Sequence, residues 1–246
     1  MRTDVRIGTS GYSYPWNKGK PTPFAWYLGQ GFHAVEINAS YYRFPMQSWI
    51  RAWDITPDDF EFAIKVNRSI THYARLAGDS LNLWKRFRST LSNLEGSGRL
   101  SIWLFQMPPD FGVSEQNITI LSNFFQSAEL GSKAVVEFRD KSWWDEQKLV
   151  EDLGIVFCSV DAPKLPRDLI SMNGVVYLRL HGRKSWYSSV YAEAELDEIW
   201  ERLDTLEAKQ KYVFLNNDHG MLPNGKYLMA LDAKAGIRGE TSPVLP

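Results

Sequence analysis

The sequence predicts an α/β protein with a single domain, a (β/α)₈ TIM-like barrel. Three observations lead to this fold: the length of 246 residues, an alternation of short apolar strands with helical segments, and polar residues at the ends of almost all strands. Eight strand-and-helix units in a chain of this length match the size of such a barrel. We expect the barrel to span residues 1–235 and a flexible tail to follow at 236–246. A doubly wound open sheet is the alternative, but no glycine-rich dinucleotide or phosphate loop supports it.

Composition narrows the class of protein further. With 44% hydrophobic and 23% charged residues, the chain has the composition of an ordinary globular protein, and its net charge of −1 gives no overall attraction to nucleic acid or an anionic membrane. Cys158 is the single cysteine, so no intramolecular disulfide can form, and its apolar neighbours predict a buried core residue. Neither a signal peptide nor a membrane helix, which needs about 20 apolar residues, is visible, so we expect a cytoplasmic protein without a membrane partner.

The first two predicted strands are short apolar runs that end in polar residues. The run at 5–9 is broken by Ser10 and the glycine after it. In the run at 33–38, Glu36 and Asn38 share one face, because side chains alternate along a strand. Short helical segments follow the two strands, at residues 24–28 and 47–53.

The third and fourth predicted strands continue this pattern. Residues 60–66 carry Lys65 near their end, and residues 100–106 end in Gln106, where two consecutive prolines prevent extension. Amphipathic helices follow them, at residues 80–94 and 117–128.

The fifth predicted strand is the most informative one. Residues 134–136 are too apolar for a strand with one wet face, so they indicate a buried parallel strand. Glu137 and Arg139 then follow on one face, and Trp143 lies just beyond, before a helix at 145–153. A carboxylate and a guanidinium at the carboxyl end of a buried strand fit the rim of an α/β active site. A structural ion pair that holds a loop is the alternative.

The last three predicted strands also end in polar or ionisable groups. The sixth, 155–161, ends in Asp161, and the seventh, 174–182, places Arg179 and His181 on one face. The eighth strand ends in two further polar residues, Asn217 and Asp218, at the close of residues 211–218. Helical segments precede and follow the eighth strand, at residues 193–207 and 224–232.

These strand ends define the predicted site at the carboxyl face of the barrel. The predicted catalytic residues are Glu36, Lys65, Glu137, Asp161 and His181. The predicted substrate-binding residues are Asn38, Gln106, Arg139, Trp143, Arg179, Tyr187, Asn217 and Asp218. A structural ion-pair network would explain two or three of these groups but explains a dozen poorly.

The chain resembles a known family, the DUF72 or YecE-like proteins of the UPF0759 group. Two of the matching motifs are Val-Glu-Phe-Arg-Asp-Lys-Ser-Trp at residues 136–143 and Leu-Arg-Leu-His-Gly at residues 178–182. The other matching segments are residues 7–12, 35–45, 62–72, 106–111 and 214–218. The resemblance covers nearly the whole chain and implies a TIM-like barrel. The family has no established biochemical activity, so the resemblance leaves function open.

The residue types favour an acid–base enzyme, a hydrolase, lyase or isomerase, that acts on a small phosphate- or carboxylate-bearing substrate. Lys65, Arg139 and Arg179 would bind the anion. A glutamate, Glu137 or Glu36, would accept a proton.

Two further roles complete this hypothesis. His181 would donate a proton and titrate near neutrality. Lys65 also permits a Schiff base if its pKa is lowered, although an ammonium paired with Glu36 or Glu137 is the simpler interpretation.

Three alternatives stay open. A glycoside-processing enzyme would need an unusual carboxylate pair, because Gln106 and Arg179 stand where many barrel glycosidases carry their carboxylates. A divalent-metal enzyme could use the acidic strand ends with His181, but the chain has only four histidines, and no cofactor is expected. A binding protein for a ligand or single-stranded nucleic acid is the third alternative, which the near-zero net charge does not favour. The sequence does not set the oligomeric state.

Overall fold

A computed structural model describes residues 3, 5–53 and 56–240 of the chain, and it confirms the TIM-like barrel. Its strands are β1 Val5–Ser10, β2 Ala34–Ile37, β3 Glu61–Lys65, β4 Leu100–Gln106, β5 Ala134–Glu137, β6 Val156–Phe157, β7 Ser159–Asp161, β8 Ser171–Met172, β9 Val175–Leu180 and β10 Gln210–Leu215. The helices are α1 Pro23–Leu28, α2 Ala39–Tyr42, α3 Gln47–Trp53, α4 Ser80–Ser89, α5 Ser92–Gly96, α6 Glu115–Ala128, α7 Gln147–Asp152, α8 Glu193–Thr205 and α9 Met221–Glu240.

Nine of these strands are parallel and form a nearly closed barrel. Their hydrogen-bonded order is β6-β5-β4-β3-β2-β1-β10-β9-β7, so the first long strand pairs with the last. β6 and β7 are consecutive pieces of one extended segment that is divided at Cys158. β6 pairs with β5 and β7 pairs with β9, so this divided segment completes the ring. Because all these strands are parallel, their carboxyl ends lie at the same end of the barrel.

The sixth unit differs from the expected strand-and-helix pattern. Between Asp161 and Val175 the structure has no helix, and instead β8 pairs antiparallel with β9. Pro163 and Pro166 lie in this segment, and proline within a helix removes a hydrogen bond and clashes with the preceding turn.

The end of the chain also differs from the expectation. α9 continues to Glu240, so residues 236–240 of the expected flexible tail extend the last helix. Residues 241–246 lie outside the described residues. Within the described ranges, none of the helices combines the length and the apolar character needed to cross a membrane.

The core has two parts, one inside the barrel and one between the barrel and its helices. On the outside, aromatic side chains dominate: Trp84 of α4 packs edge-on against Trp103 of β4, with ring centroids 4.9 Å apart. Inside, β1 and β2 approach closely at Gly8, where an added Cβ would lie 2.2 Å from the carbonyl oxygen of Ala34.

The amino end of the barrel interior is closed by a polar group around Glu61 at the start of β3. Tyr212 Oη donates to Glu61 Oε2 over 2.6 Å, and Arg6 Nε donates to Glu61 Oε1 over 2.8 Å. These hydrogen bonds satisfy a partly buried carboxylate far from the end of the barrel at which the candidate site lies.

Candidate active site

The floor of the candidate site is a buried array of charges held by three strands. Glu36 of β2, Glu137 of β5 and Arg179 of β9 are all fully buried. The Arg179 Nη2 donates to Glu36 Oε1 over 2.6 Å, and its Nη1 donates to Glu137 Oε2. Tyr177 Oη donates to the second oxygen of Glu36 over 2.7 Å. One guanidinium therefore bridges two carboxylates across the barrel. These ion pairs offset part of the free-energy cost of burying the charges.

The second oxygen of Glu137 is also occupied. It forms an ion pair with Arg139 Nε, and His181 Nε2 lies 3.3 Å away. Although burial raises the pKa of Glu137, the cations Arg139 and Arg179 lower it more, and the result lies well below the ordinary value. Each oxygen of Glu137 therefore lies within ion-pair distance of an arginine.

His181 differs from its predicted role. Burial lowers its pKa to about 3, with the nearby cation Arg179 acting in the same direction, so the prediction of a group titrating near neutrality is wrong. Asn216 Nδ2 donates to His181 Nδ1 over 3.1 Å, which assigns the ring proton to Nε2, facing Glu137. At pH 7 the imidazole is neutral and its proton points into the array.

Lys65, at the end of β3, has a different environment from the array residues. Its Nζ lies 4.3 Å from the centre of the Tyr41 ring, and among the described residues no oxygen accepts a hydrogen bond from it. The expected pairing with Glu36 or Glu137 is not formed, because both carboxylates are taken by other groups. Burial, followed by the charge of Arg179, lowers the pKa of Lys65 to about 7.

Lys65 lines a pocket of about 270 Å³ above the array. The other lining residues are Tyr14, Asn38, Tyr42, Tyr187, Asn216 and Asp218. The backbone oxygen of Asp218 accepts a hydrogen bond from Trp16 Nε1 over 3.1 Å, whereas its carboxylate receives none from any residue that the structure describes. We call this the Lys65 pocket.

A second, outer pocket of about 490 Å³ lies beside it and shares Tyr187. Arg139 lies against the Trp186 ring, with its guanidinium carbon 4.3 Å from the ring centre, and donates to Tyr187 Oη over 3.1 Å. The charged residues of the outer pocket are Arg139, Asp140, Lys141 and Lys164. Three cations against one carboxylate favour an anion at this position.

Four predicted site residues belong neither to the buried array nor to the lining of these two pockets. Asp161 accepts hydrogen bonds from Arg183 Nε over 2.9 Å and from Tyr191 Oη over 3.1 Å, so it anchors the loop after β9. Asn217 is buried and donates to Asn224 Oδ1 over 2.9 Å and to a loop carbonyl.

The other two are Trp143 and Gln106. Trp143 is buried, stacks on Phe138 with ring centroids 4.2 Å apart, and donates to the carbonyl oxygen of Phe111. It packs the core and lines neither pocket. Gln106 is partly buried and lies beside Glu137 in the strand register.

Several pocket residues were absent from the predicted site. Asn216 was missed because the expected strand continued to 218, whereas β10 ends at Leu215. Tyr14 and Trp186 lie in loops and Tyr42 is the last residue of the short helix α2, and their only sequence signal was the high aromatic content of these segments.

The donor atoms do not gather as a metal site. Across the described ranges, no three His, Cys, Asp or Glu side chains come together in a way that could hold a metal ion. The two central carboxylates, Glu36 and Glu137, already serve arginine, tyrosine and histidine partners.

Comparisons with known proteins agree with this architecture. The family model "Protein of unknown function DUF72" matches residues 6–240. The UPF0759 protein YunF of Bacillus subtilis is 26% identical over an alignment of 239 residues, which covers 81% of this chain and 83% of that protein. The crystal structure of a DUF72 family protein from Thermotoga maritima has a TM-score of 0.82 at 28% identity, covering 93% of this chain and 98% of that one. A DUF72 family protein from Enterococcus faecalis also has a TM-score of 0.82, at 20% identity, covering 93% and 95% of the two chains.

Proposed function

This chain belongs to the DUF72 family of proteins of unknown function, and we propose that it is an enzyme that performs acid–base chemistry on a small anionic substrate at the carboxyl end of its barrel. One observation carries the proposal. Lys65 and Asp218 line the same pocket, and neither the amine nor the carboxylate is hydrogen-bonded to another side chain among the described residues. Charged groups without partners are costly inside a protein, so such a pair is more typical of a reaction site than of a structural contact.

The charges around Lys65 explain how it could transfer protons at neutral pH. An acid–base catalyst works best when its pKa lies near the working pH, and the pKa of Lys65 is lowered to about 7 by burial and by Arg179. In this proposal Lys65 exchanges a proton with the substrate, and the carboxylate of Asp218 is the second acid–base group. Glu36, Glu137 and Arg179 set the local electrostatic potential. Glu36 and Glu137, which were predicted as the base, and His181, which was predicted as the acid, therefore support Lys65 and do not themselves transfer the proton.

The anion is assigned to the outer pocket. Arg139 is held by Glu137 and Trp186, so its guanidinium is oriented before a ligand arrives, and Lys141 and Lys164 add charge nearby. A phosphate or carboxylate bound there would place the rest of a small molecule past Tyr187, toward Lys65. Tyr187 lines both pockets. Preorganised cations of this kind bind oxyanions with defined geometry.

A thermal-shift screen tests this function. The purified, chelator-treated protein is exposed to phosphorylated metabolites, carboxylates, sugars, divalent metals and short oligonucleotides. A ligand at 100 times its Kd stabilises the folded state by about 2.7 kcal/mol, so one class of anion should raise the melting temperature. Arg139→Met should abolish this shift, and the exposed Lys148→Met serves as the matched control.

Each other outcome of the screen has a distinct meaning. An equal anion shift in Arg139→Met would contradict the outer pocket as the anion site. A shift with oligonucleotides alone that weakens steeply with salt would favour a nucleic-acid-binding protein. A shift with metals alone would favour a metal enzyme.

A further inference from the structure

We propose that Lys65 is a nucleophile, and that its amine forms an iminium with the carbonyl carbon of a small aldehyde or ketone that carries a carboxylate or phosphate. The inference rests on the proposed function, because it takes the Lys65 pocket to be the active site. It goes further by naming the substrate class and a covalent intermediate.

The first argument is the availability of the amine. A lysine that donates to a carboxylate stays protonated and fixed in place. A protonated amine has no free electron pair, so it cannot attack a carbonyl carbon. The carboxylates of Glu36 and Glu137 are paired with Arg179 and Arg139, and Glu36 also accepts a hydrogen bond from Tyr177. The Tyr41 ring lies beside Lys65 Nζ, and an aromatic ring takes no proton from an amine. Among the described residues, Lys65 therefore has no salt bridge that would hold it in the protonated form.

The second argument is the fraction of neutral amine. Lysine nucleophiles are activated by desolvation or by a neighbouring cation, and Lys65 has both, in burial and in Arg179. With a pKa of about 7, about half of the Lys65 side chains are neutral at pH 7, whereas an exposed lysine is neutral in roughly one molecule in 3,000.

The covalent step balances without any further reagent. The neutral amine attacks the carbonyl carbon, a C–N bond forms, and the proton that leaves nitrogen goes to the carbonyl oxygen to give a carbinolamine. The C–O bond then breaks as a second proton, taken from solvent, converts the hydroxyl into leaving water, and a positively charged iminium remains on Lys65. The iminium can accept the electron pair of a neighbouring C–H or C–C bond, and hydrolysis returns the amine.

The pocket holds a group that can move these protons. Asp218 also lines this pocket, and its carboxylate is hydrogen-bonded by no described side chain, so it is free to take the proton from nitrogen, deliver it to the carbonyl oxygen, and pass a second proton from solvent to the leaving hydroxyl. The pocket of about 270 Å³ lies at the small end of ligand pockets, about 300 Å³ and upward. A carbonyl compound of a few carbons fits this space, with its anionic group toward Arg139.

Reductive trapping tests the inference. The wild-type protein is incubated at pH 7 with sodium cyanoborohydride and, in separate reactions, glyoxylate, pyruvate or glycolaldehyde phosphate, and each lysine is followed by peptide mass spectrometry. Lower basicity reduces intrinsic nucleophilicity, yet the neutral fraction still dominates, so Lys65 should be alkylated at least about tenfold faster than exposed Lys148 of the same chain. Lys65→Arg keeps a cation and should lose the adduct, whereas Lys148→Arg should keep it.

Because Lys65 and Lys148 are compared within the wild-type protein, this test does not depend on whether a variant folds. Modification of Lys65 at or below the rate of Lys148, with all three carbonyl compounds, would overturn the inference. If anions still stabilise the protein through Arg139 while no adduct forms on Lys65, the iminium fails and the acid–base function stands. If neither anion binding nor an adduct is found, both proposals fail.

Discussion

Replacing Lys65 by methionine should stabilise the protein at pH 7, and the gain should fade as the pH rises. Methionine keeps the long unbranched shape and removes the ionisable amine. In the folded state burial and Arg179 lower the pKa of Lys65 to about 7, compared with 10.5 in the unfolded chain. Folding at pH 7 must therefore release part of a proton that the unfolded chain retains, and this release opposes folding.

The sign and size of the effect follow from proton linkage. Between pH 7 and 10.5 the unfolded chain binds more protons at Lys65 than the folded protein, so the free energy of unfolding of the wild type rises with pH. Integration over the two pKa values predicts that, from pH 7 to pH 9, the free energy of unfolding of the wild type rises by about 2 kcal/mol relative to that of Lys65→Met. Other titrating groups are common to both proteins and cancel in the difference.

Urea denaturation of both proteins at pH 6, 7, 8 and 9 measures this difference. Lys148→Met is the matched control, because that lysine is exposed, and its curve should run parallel to wild type from pH 7 to 9. If Lys65→Met also ran parallel to wild type, the pKa of Lys65 would be ordinary. Both the acid–base role and the iminium would then lose their physical basis.

Three further predictions address the array and its surroundings. Glu137→Gln should destabilise the protein by about 3–5 kcal/mol in urea, because it leaves Arg139 without its carboxylate partner and Arg179 with only one of its two; a loss under 1 kcal/mol would contradict the array. Trp143→Ala should cost about 3–5 kcal/mol through lost packing while leaving the Kd of any anion found in the screen unchanged, and a weakened Kd would return Trp143 to the binding site. The imidazole resonances of His181 should not titrate between pH 5 and 8 in NMR spectra, since its pKa is lowered to about 3, and a midpoint near 6.5 would show that it is not buried as described.

The sequence was sufficient to predict the barrel fold and to predict the end of the barrel at which the polar groups lie. Alternation along a strand correctly placed Arg179 and His181 on one face, and with Glu36 and Glu137 they meet at one end of the barrel. The polar strand ends are a property of each short segment, so each could be found locally.

The roles of these residues could not be found in the same way. Whether a carboxylate is free or saturated depends on partners across the barrel, and Glu36 and Arg179 lie 143 positions apart. The choice between Asn216 and Asn217 depended on where β10 ends, since a shift of one residue moves a side chain to the other face. Lys65 is unpaired within the part of the chain that the structure describes, while Glu36, Glu137 and Arg179 are paired with one another. This difference changes the expected roles in the site, and it is visible only once the partners of all these groups are known.

The guanidinium shared by two carboxylates also bears on how this family can change over time. If Arg179 alone were replaced by a neutral residue, two like charges would remain in the barrel without a cation between them, and such a protein would fold poorly. Replacement of this arginine should therefore accompany the loss of at least one glutamate in the same lineage. Glu137 keeps its ion pair with Arg139, whereas Glu36 would keep only a hydrogen bond from Tyr177, so Glu137 is the carboxylate expected to persist after Arg179 is gone. Descendants that abandon this arrangement should therefore differ at positions 36 and 179 together, and rarely at position 179 alone.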